Sequence, residues 1–355
     1  MKKHGWFLFL ISGMMVFLVS GCDKSGSDVA ILAAAQSFRS SPSTVNNQLD
    51  ILFVINDQPS MSSFQSALVT SMSTFMNTFQ TKGFDYKIAV VTTSGYLADP
   101  TLVGYSSAYA LASDFNDYNG TTHSNMPVIT PTDTNLFSDF AINAKPNKDT
   151  AGQDGRSFSS FRAALESQSS VNYGFLRPNS FLAVIIVDNQ DDFSGNGRCD
   201  GCNVSGRYNA STLDPVSVYS DYLNNLTGTS GATARYNVSA MTQIATPCQG
   251  GTNMTRIMSL ANQTNGVLGD ICASNFGPSM AAISDRITLL STQYFLDRVP
   301  DVSSITVSIN GVSIPQSSTN GWTFDSAANS IQFHGTAIPQ QGASIVVNYN
   351  PTTLL

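Results

Sequence analysis

Apolar residues along this chain come in two kinds of run, and the order of the runs predicts the architecture. Ile51-Leu52-Phe53-Val54-Ile55 is continuous, with no alternation of polar and apolar positions, as in a strand covered on both faces. Met61, Phe64, Leu68, Met72, Phe75 and Phe79 then recur every three or four residues, which predicts a helix with one buried face. Gly83 ends that helix, and Tyr86 to Thr92 reads as a second strand. After a long, weakly patterned polar stretch over 94–133, helical spacing returns at 135–144 and 159–166. Phe181 to Val187 is the most apolar strand, followed by helices around 216–226, 252–263 and 278–294 and a strand around 236–244. This alternation predicts an α/β domain over residues 49–295, a doubly wound, mostly parallel sheet flanked by helices.

After Pro300 the pattern changes to short β-rich runs: 304–309, 312–314, 322–324, 330–333 and 344–349. Asn310-Gly311 between two of them is a strong hairpin signal. Residues 296–355 are therefore expected to form a small all-β, sandwich-like module that leans on the α/β domain, being near the lower size limit for folding alone.

The N-terminus has Lys2 and Lys3, an apolar stretch from Trp6 to Val19, and then Val19-Ser20-Gly21-Cys22. The stretch falls short of the roughly twenty residues that span a bilayer, so residues 1–21 read as a secretory signal peptide. Val-Ser-Gly-Cys resembles the bacterial lipobox, which makes Cys22 the acylated anchor and places the protein at the cell envelope. The Ser-rich segment 22–48 is expected to be a tether.

The formal charge is −7, and loss of Lys2 and Lys3 with the signal takes it to −9. No Lys/Arg cluster follows the signal, which excludes a nucleic-acid footprint. Cys199, Cys202, Cys248 and Cys272 form an even set beyond the membrane, read as disulfides Cys199–Cys202 and Cys248–Cys272, although four cysteines allow three connectivities. Cys199-Asp-Gly-Cys202 is a poorer redox motif, because it follows the Gly/Asn-rich stretch 194–197 rather than a strand.

In an open parallel sheet ligands gather beyond the carboxyl ends of the strands. Here those exits are Asn56-Asp57-Gln58-Pro59-Ser60 and Asp188-Asn189-Gln190-Asp191-Asp192, both rich in side-chain oxygens. Taken with the strand and helix order, and with 50–55, 172–178, 182–187 and 266–272, they resemble bacterial lipoproteins carrying a von Willebrand factor A domain and a C-terminal β module. That family binds Mg²⁺ at a metal-ion-dependent adhesion site of Asp-x-Ser-x-Ser, a middle-loop hydroxyl and a later Asp. The resemblance aligns Asn56, Asp57, Gln58 and Ser60 with the first motif and Asn189 with the later Asp, so it implies a degenerate site in which only Ser60 matches. Mg²⁺ or Ca²⁺ is the candidate ion. Asp57, Asp188, Asp191 and Asp192 each lie beside a changed position and could shift the site by one residue. Ser157, Ser159 and Ser160 are the candidates for the middle-loop hydroxyl. A second cation candidate, Asp192 to Asn203, has oxygens at alternate positions and Gly197 sixth, but lacks the closing Glu.

These features predict a lipid-anchored binding or adhesion module that recognises a protein or cell-surface ligand at the strand-end crevice. The alternative is a structural envelope lipoprotein that assembles with itself or with other lipoproteins. An enzyme is not expected. Beyond the signal only His123 and His334 occur, without a nucleophile at motif spacing, and no Gly-x-Ser-x-Gly elbow is present.

Overall fold

The computed structural model describes residues 38–39, 43–45, 47–98, 124, 126–145, 155–166, 174–195, 213–244, 248 and 254–352. Cys22, His123, Cys199, Cys202 and Asn203, with the signal peptide and most of the proposed tether, lie outside the described residues.

The strands are β1 (Phe38–Arg39), β2 (Ser43–Thr44), β3 (Gln48–Ile55), β4 (Asp85–Thr92), β5 (Phe181–Val187), β6 (Tyr236–Thr242) and β7 (Leu268–Asp270). The helices are α1 (Ser62–Thr81), α2 (Leu136–Asn143), α3 (Ser157–Glu166), α4 (Val216–Thr227), α5 (Thr255–Gln263) and α6 (Gly277–Ser291). A parallel sheet in the order β4-β3-β5-β6-β7 forms the centre. Because β4 lies on one side of β3 and β5 on the other, the chain changes direction at β3. The crevice beyond β3 and β5 is therefore the switch point of the sheet.

Side chains of β3 and β5 alternate between two cores, which explains why both strands read as unbroken apolar runs. Ile51, Phe53, Ile55, Ala183 and Ile185 pack against α1, α2 and α6 through Phe75, Phe140 and Ile283. Leu52, Val54, Leu182, Val184 and Ile186 face α3, α4 and α5 through Phe158, Leu223 and Ile257. Gly228 ends α4 with φ 64°, the left-handed turn that closes helices without a Cβ clash.

The C-terminal module contains β8 (Tyr294–Phe295), β9 (Thr306–Ile309), β10 (Val312–Ile314), β11 (Trp322–Asp325), β12 (Ser330–Phe333) and β13 (Ser344–Tyr349). Two antiparallel sheets share a core of Val307, Trp322, Ile331, Phe333, Val347 and Tyr349. The hairpin expected at Asn310-Gly311 is present, with φ 51° and 81° at the two turn residues and Val312 opposite Ile309.

Two boundaries differ from the sequence reading. The tether was expected to run to residue 48, but β1 and β2 pair antiparallel with β13. Val45 exchanges backbone hydrogen bonds with Ala343 and Gly342, and the buried Asn47 side chain donates to the Pro339 carbonyl at 3.1 Å. The β1 and β2 pairings are made by backbone groups, and Val45 and Asn47 add only isolated contacts, so no apolar periodicity announces the attachment. At the other end, β8 pairs with β12 and brings Tyr294 and Phe295 into the β module, one strand earlier than the expected start at 296. Lys82 Nζ donates to the Gly335 carbonyl at 2.8 Å, one of the bonds between α/β domain and module.

Candidate functional site

Backbone hydrogen bonds lace the strand exits together before any side chain acts. Asn56 N donates to Val187 O at 2.9 Å, Thr93 N to Ile55 O at 3.1 Å, Arg156 N to Thr93 O at 3.1 Å and Asp188 N to Met241 O at 3.1 Å. The loops after β3, β4 and β5 and the start of α3 are thereby fixed at one end of the sheet. The turns at 56–60 and 188–192 converge there.

At the centre Asn56 Nδ2 donates to Asp188 Oδ1 at 2.6 Å and to Asn189 Oδ1 at 3.3 Å. Asn56 Oδ1 accepts Gln58 N at 2.8 Å, and Gln65 of α1 donates to the Asn56 carbonyl at 2.9 Å. Asp188 also accepts Gln190 N at 2.8 Å and the Ser157 hydroxyl at 3.1 Å. Of the three candidate serines Ser157 faces this crevice, while Ser160 donates to the Thr93 carbonyl and Ser159 meets Tyr219. Asp57 accepts from Thr93 and Ser94 at 3.3 and 3.1 Å. Asn56, Asp57, Thr93, Ser94, Ser157 and Asp188 are all buried.

Above them lies a half-buried amide pair. Gln190 Nε2 donates to Gln58 Oε1 at 2.9 Å, and Gln58 Nε2 to Gln190 Oε1 at 3.4 Å. Pro59 and Ser60 are exposed beside it, and Asn189 Nδ2 reaches Ser60 Oγ at 3.4 Å. Gln243, after β6, donates to the Asn189 carbonyl at 2.6 Å. Cys272 stands next to Gln243 and is joined to Cys248, the pairing expected from the sequence.

Asp191 and Asp192 turn elsewhere. Asp191 accepts the N–H groups of Arg256 and Ile257 at 3.2 Å, capping the free donors at the start of α5. Asp192 accepts Phe158 N at 2.9 Å at the start of α3 and pairs with Arg256 at 3.1 Å. Two of the four shifted-site carboxylates, Asp192 being also the first residue of the calcium-loop reading, thus serve helix starts, where positive partial charge favours them.

Burial sets the electrostatics. It pushes Asp188 up to about 7, against the hydrogen bonds from Asn56, Gln190 and Ser157, and it also raises Asp57. A raised carboxyl pKa means that the folded state holds its proton more tightly than the unfolded chain. Asp188 therefore adds stability that is complete below its unfolded pKa of about 4 and lost as pH rises through about 7. Asp188→Asn keeps an acceptor for Asn56 and Gln190 and removes the titration. Denaturant unfolding between pH 4 and 8 is expected to show a flatter stability profile for this variant, with its advantage over the wild type greatest at pH 8. Parallel profiles would contradict the assignment.

The residues do not fit a Mg²⁺ or Ca²⁺ centre. Such ions take six to eight oxygens, or an octahedral set. Asn56 instead turns an N–H group towards Asp188. Its amide orientation is set by Gln58 N, which requires the oxygen on its own side. Among the described residues no three Asp, Glu, His or Cys side chains gather as a metal would need.

Sequence reasoning missed Thr93, Ser94 and Gln65. Thr93 and Ser94 were legible in principle, being the polar exit of β4. Gln65 carried a weaker signal, a polar residue on the buried side of α1.

No family model matches the chain, and no curated protein matches it. Among solved structures, the pilus adhesin SpaC from Lactobacillus rhamnosus GG, in an open conformation, is similar with a TM-score of 0.40 and 12% identity, over 88% of this chain and 42% of that one. Proximal thread matrix protein 1 from the mussel byssus, with a zinc-occupied MIDAS motif, gives 0.38 and 11%, over 73% and 52%. The pilus adhesin RrgA from Streptococcus pneumoniae gives 0.32 and 8%, over 88% and 58%. This chain spans about half the length of these structures. Its fold class rests on the sheet order and helix layers described above.

Proposed function

We propose that the protein is a non-enzymatic recognition module of the bacterial cell envelope, anchored through Cys22 and binding a protein or surface ligand with the rim above β3 and β5. The observation that carries this reading is the convergence of the two oxygen-rich turns at the switch point, joined by the Asn56–Asp188 and Gln58–Gln190 pairs. Ligands of open α/β sheets bind at that place because the loops there vary while the sheet holds them. The rim offers half-buried amides and exposed Pro59 and Ser60, groups suited to hydrogen bonding a partner surface. The lipobox-like Val19-Ser20-Gly21-Cys22 supports the anchor.

Chemistry at the crevice has little support. The hydroxyls of Ser157 and Ser94 donate to carboxylates at 3.1 Å, and among the described residues no imidazole is bonded to either. His334 sits in the β module, bonded through Nε2 to Thr323 Oγ1 at 2.7 Å, and burial lowers its pKa.

The test is binding of the purified protein to isolated bacterial envelope and to immobilised cell-surface proteins. Replacing Gln58 and Gln190 together by alanine is expected to weaken capture about tenfold, as for central contacts of an interface. Unfolding should stay within about 1 kcal/mol of wild type, since both side chains lie at the surface rim. Unchanged capture by a folded double variant would remove the rim from the binding surface.

A further inference from the structure

We infer that the Asn56 side-chain amide takes the place of a cation in this crevice, so that the site is assembled without divalent ions and a carboxylate at position 56 would convert it to one that binds them. The inference rests on the crevice geometry alone and holds whatever the partner is.

Asp188 is fully buried, and its two oxygens meet three donors from different elements: Asn56 Nδ2, Gln190 N and Ser157 Oγ. The shortest of these bonds, at 2.6 Å, comes from Asn56. A hydrogen bond to a carboxylate is among the strong ones, and it supplies positive potential where an ion would otherwise stand. Asn56 is held in that role from two sides. Gln58 N bonds its oxygen, and Gln65 Nε2 bonds its backbone carbonyl. For a cation to coordinate Asn56 on the Asp188 side, the amide would have to flip, facing its N–H group towards Gln58 N and giving up the 2.8 Å bond from that donor. Losing such a partner is costly in a poorly hydrated site.

Asn56→Asp reverses the balance. It keeps the acceptor for Gln58 N but removes the donor to Asp188, leaving buried carboxylates at positions 56, 57 and 188 together with the hydroxyls of Thr93, Ser94 and Ser157. That set is acidic, rich in oxygen and unstable without a counter-charge, the condition under which a hard divalent ion binds.

The experiment compares wild type, Asn56→Asp, Asp188→Asn, and Asn56→Asp combined with Asp188→Asn. Each is followed by thermal unfolding and calorimetric titration with Mg²⁺, Mn²⁺ and Ca²⁺ after treatment with chelator. The wild-type Tm is expected to be indifferent to cation. Asn56→Asp should melt lower than wild type in chelator and rise by about 5 °C at cation roughly 100-fold above its Kd. The double variant should lose the response. A wild-type response that disappears in Asp188→Asn would overturn the inference, as would a folded Asn56→Asp protein that ignores all three ions. If Asn56→Asp fails to fold even with cation, the wild-type titration decides. Absence of heat supports the inference, and heat that Asp188→Asn abolishes refutes it. Failure of the rim variants to change ligand capture would leave these titrations untouched, so the two readings fail separately.

Discussion

Replacing Arg177 by methionine is expected to lower the unfolding free energy by about 3–5 kcal/mol, enough to remove a large share of an ordinary domain's stability. Arg177 sits at the amino end of the sheet and ties three segments together. Its Nε donates to Asp50 Oδ1 at 2.8 Å, its terminal nitrogens reach the carbonyls of Leu49 and Asp85, and one pairs with the Asp85 carboxylate at 2.7 Å. Asp50 is fully buried, and burial raises its pKa even with Arg177 and Ser180 opposing the shift. Methionine retains the apolar stem and leaves Asp50 as a buried charge without its cation. The group then escapes by taking up a proton, so the loss should be smaller at pH 5 than at pH 8. Urea unfolding at both values checks this, and a loss below about 1 kcal/mol at pH 8 would show that Arg177 is dispensable.

Arg256→Met is the counterpart at the carboxyl end, with an expected cost of about 3 kcal/mol. Arg256 donates to Asp192 through Nε and Nη2 at 3.3 and 3.1 Å, and to the carbonyls of Asp214 and Ser194 at 2.8 and 3.2 Å. Its guanidinium also lies 5.5 Å from the Phe158 ring centroid. Without it Asp192 keeps, among the described residues, Phe158 N and the Ser194 donors. The two predictions differ in reach. Loss of Arg177 weakens the strand starts and the global transition, whereas loss of Arg256 frees the first turns of α3 and α5. Hydrogen exchange should therefore speed up at Phe158 and Ile257 well before the central strands respond. Uniform loss of protection across the sheet would contradict this locality.

The elements with strong apolar periodicity were legible in the sequence because burial alone specifies them. The strands β3 and β5 and helix α1 fall in this group, as does the Asn310-Gly311 hairpin, whose turn chemistry is local. The short β7 was not legible: Leu268 and Asp270 are half-buried, and three residues give no period to read. Elements β1 and β2 were hidden for a related reason, since their attachment to β13 is through the backbone. At the site, the converging turns were readable, but the partner of Asn56 was not fixed. The resemblance aligns Asn189, whereas the shortest bond goes to Asp188, one residue earlier. Whether a residue just past a strand faces the crevice depends on how the chain leaves the sheet, and here Asp188 is held by its backbone bond to Met241. Asp191 and Asp192 show the limit of composition: acidic residues beside a crevice were drawn instead to two helix starts.

The stitching of β1 and β2 to β13 has a mechanical consequence. Tension arriving from the N-terminal side meets the pairings of Phe38, Arg39, Ser43 and Thr44 before it reaches Gln48 and the central sheet. A protein held by that end and pulled through its rim would yield first at this short seam, while the cluster around Asp188 stayed in register.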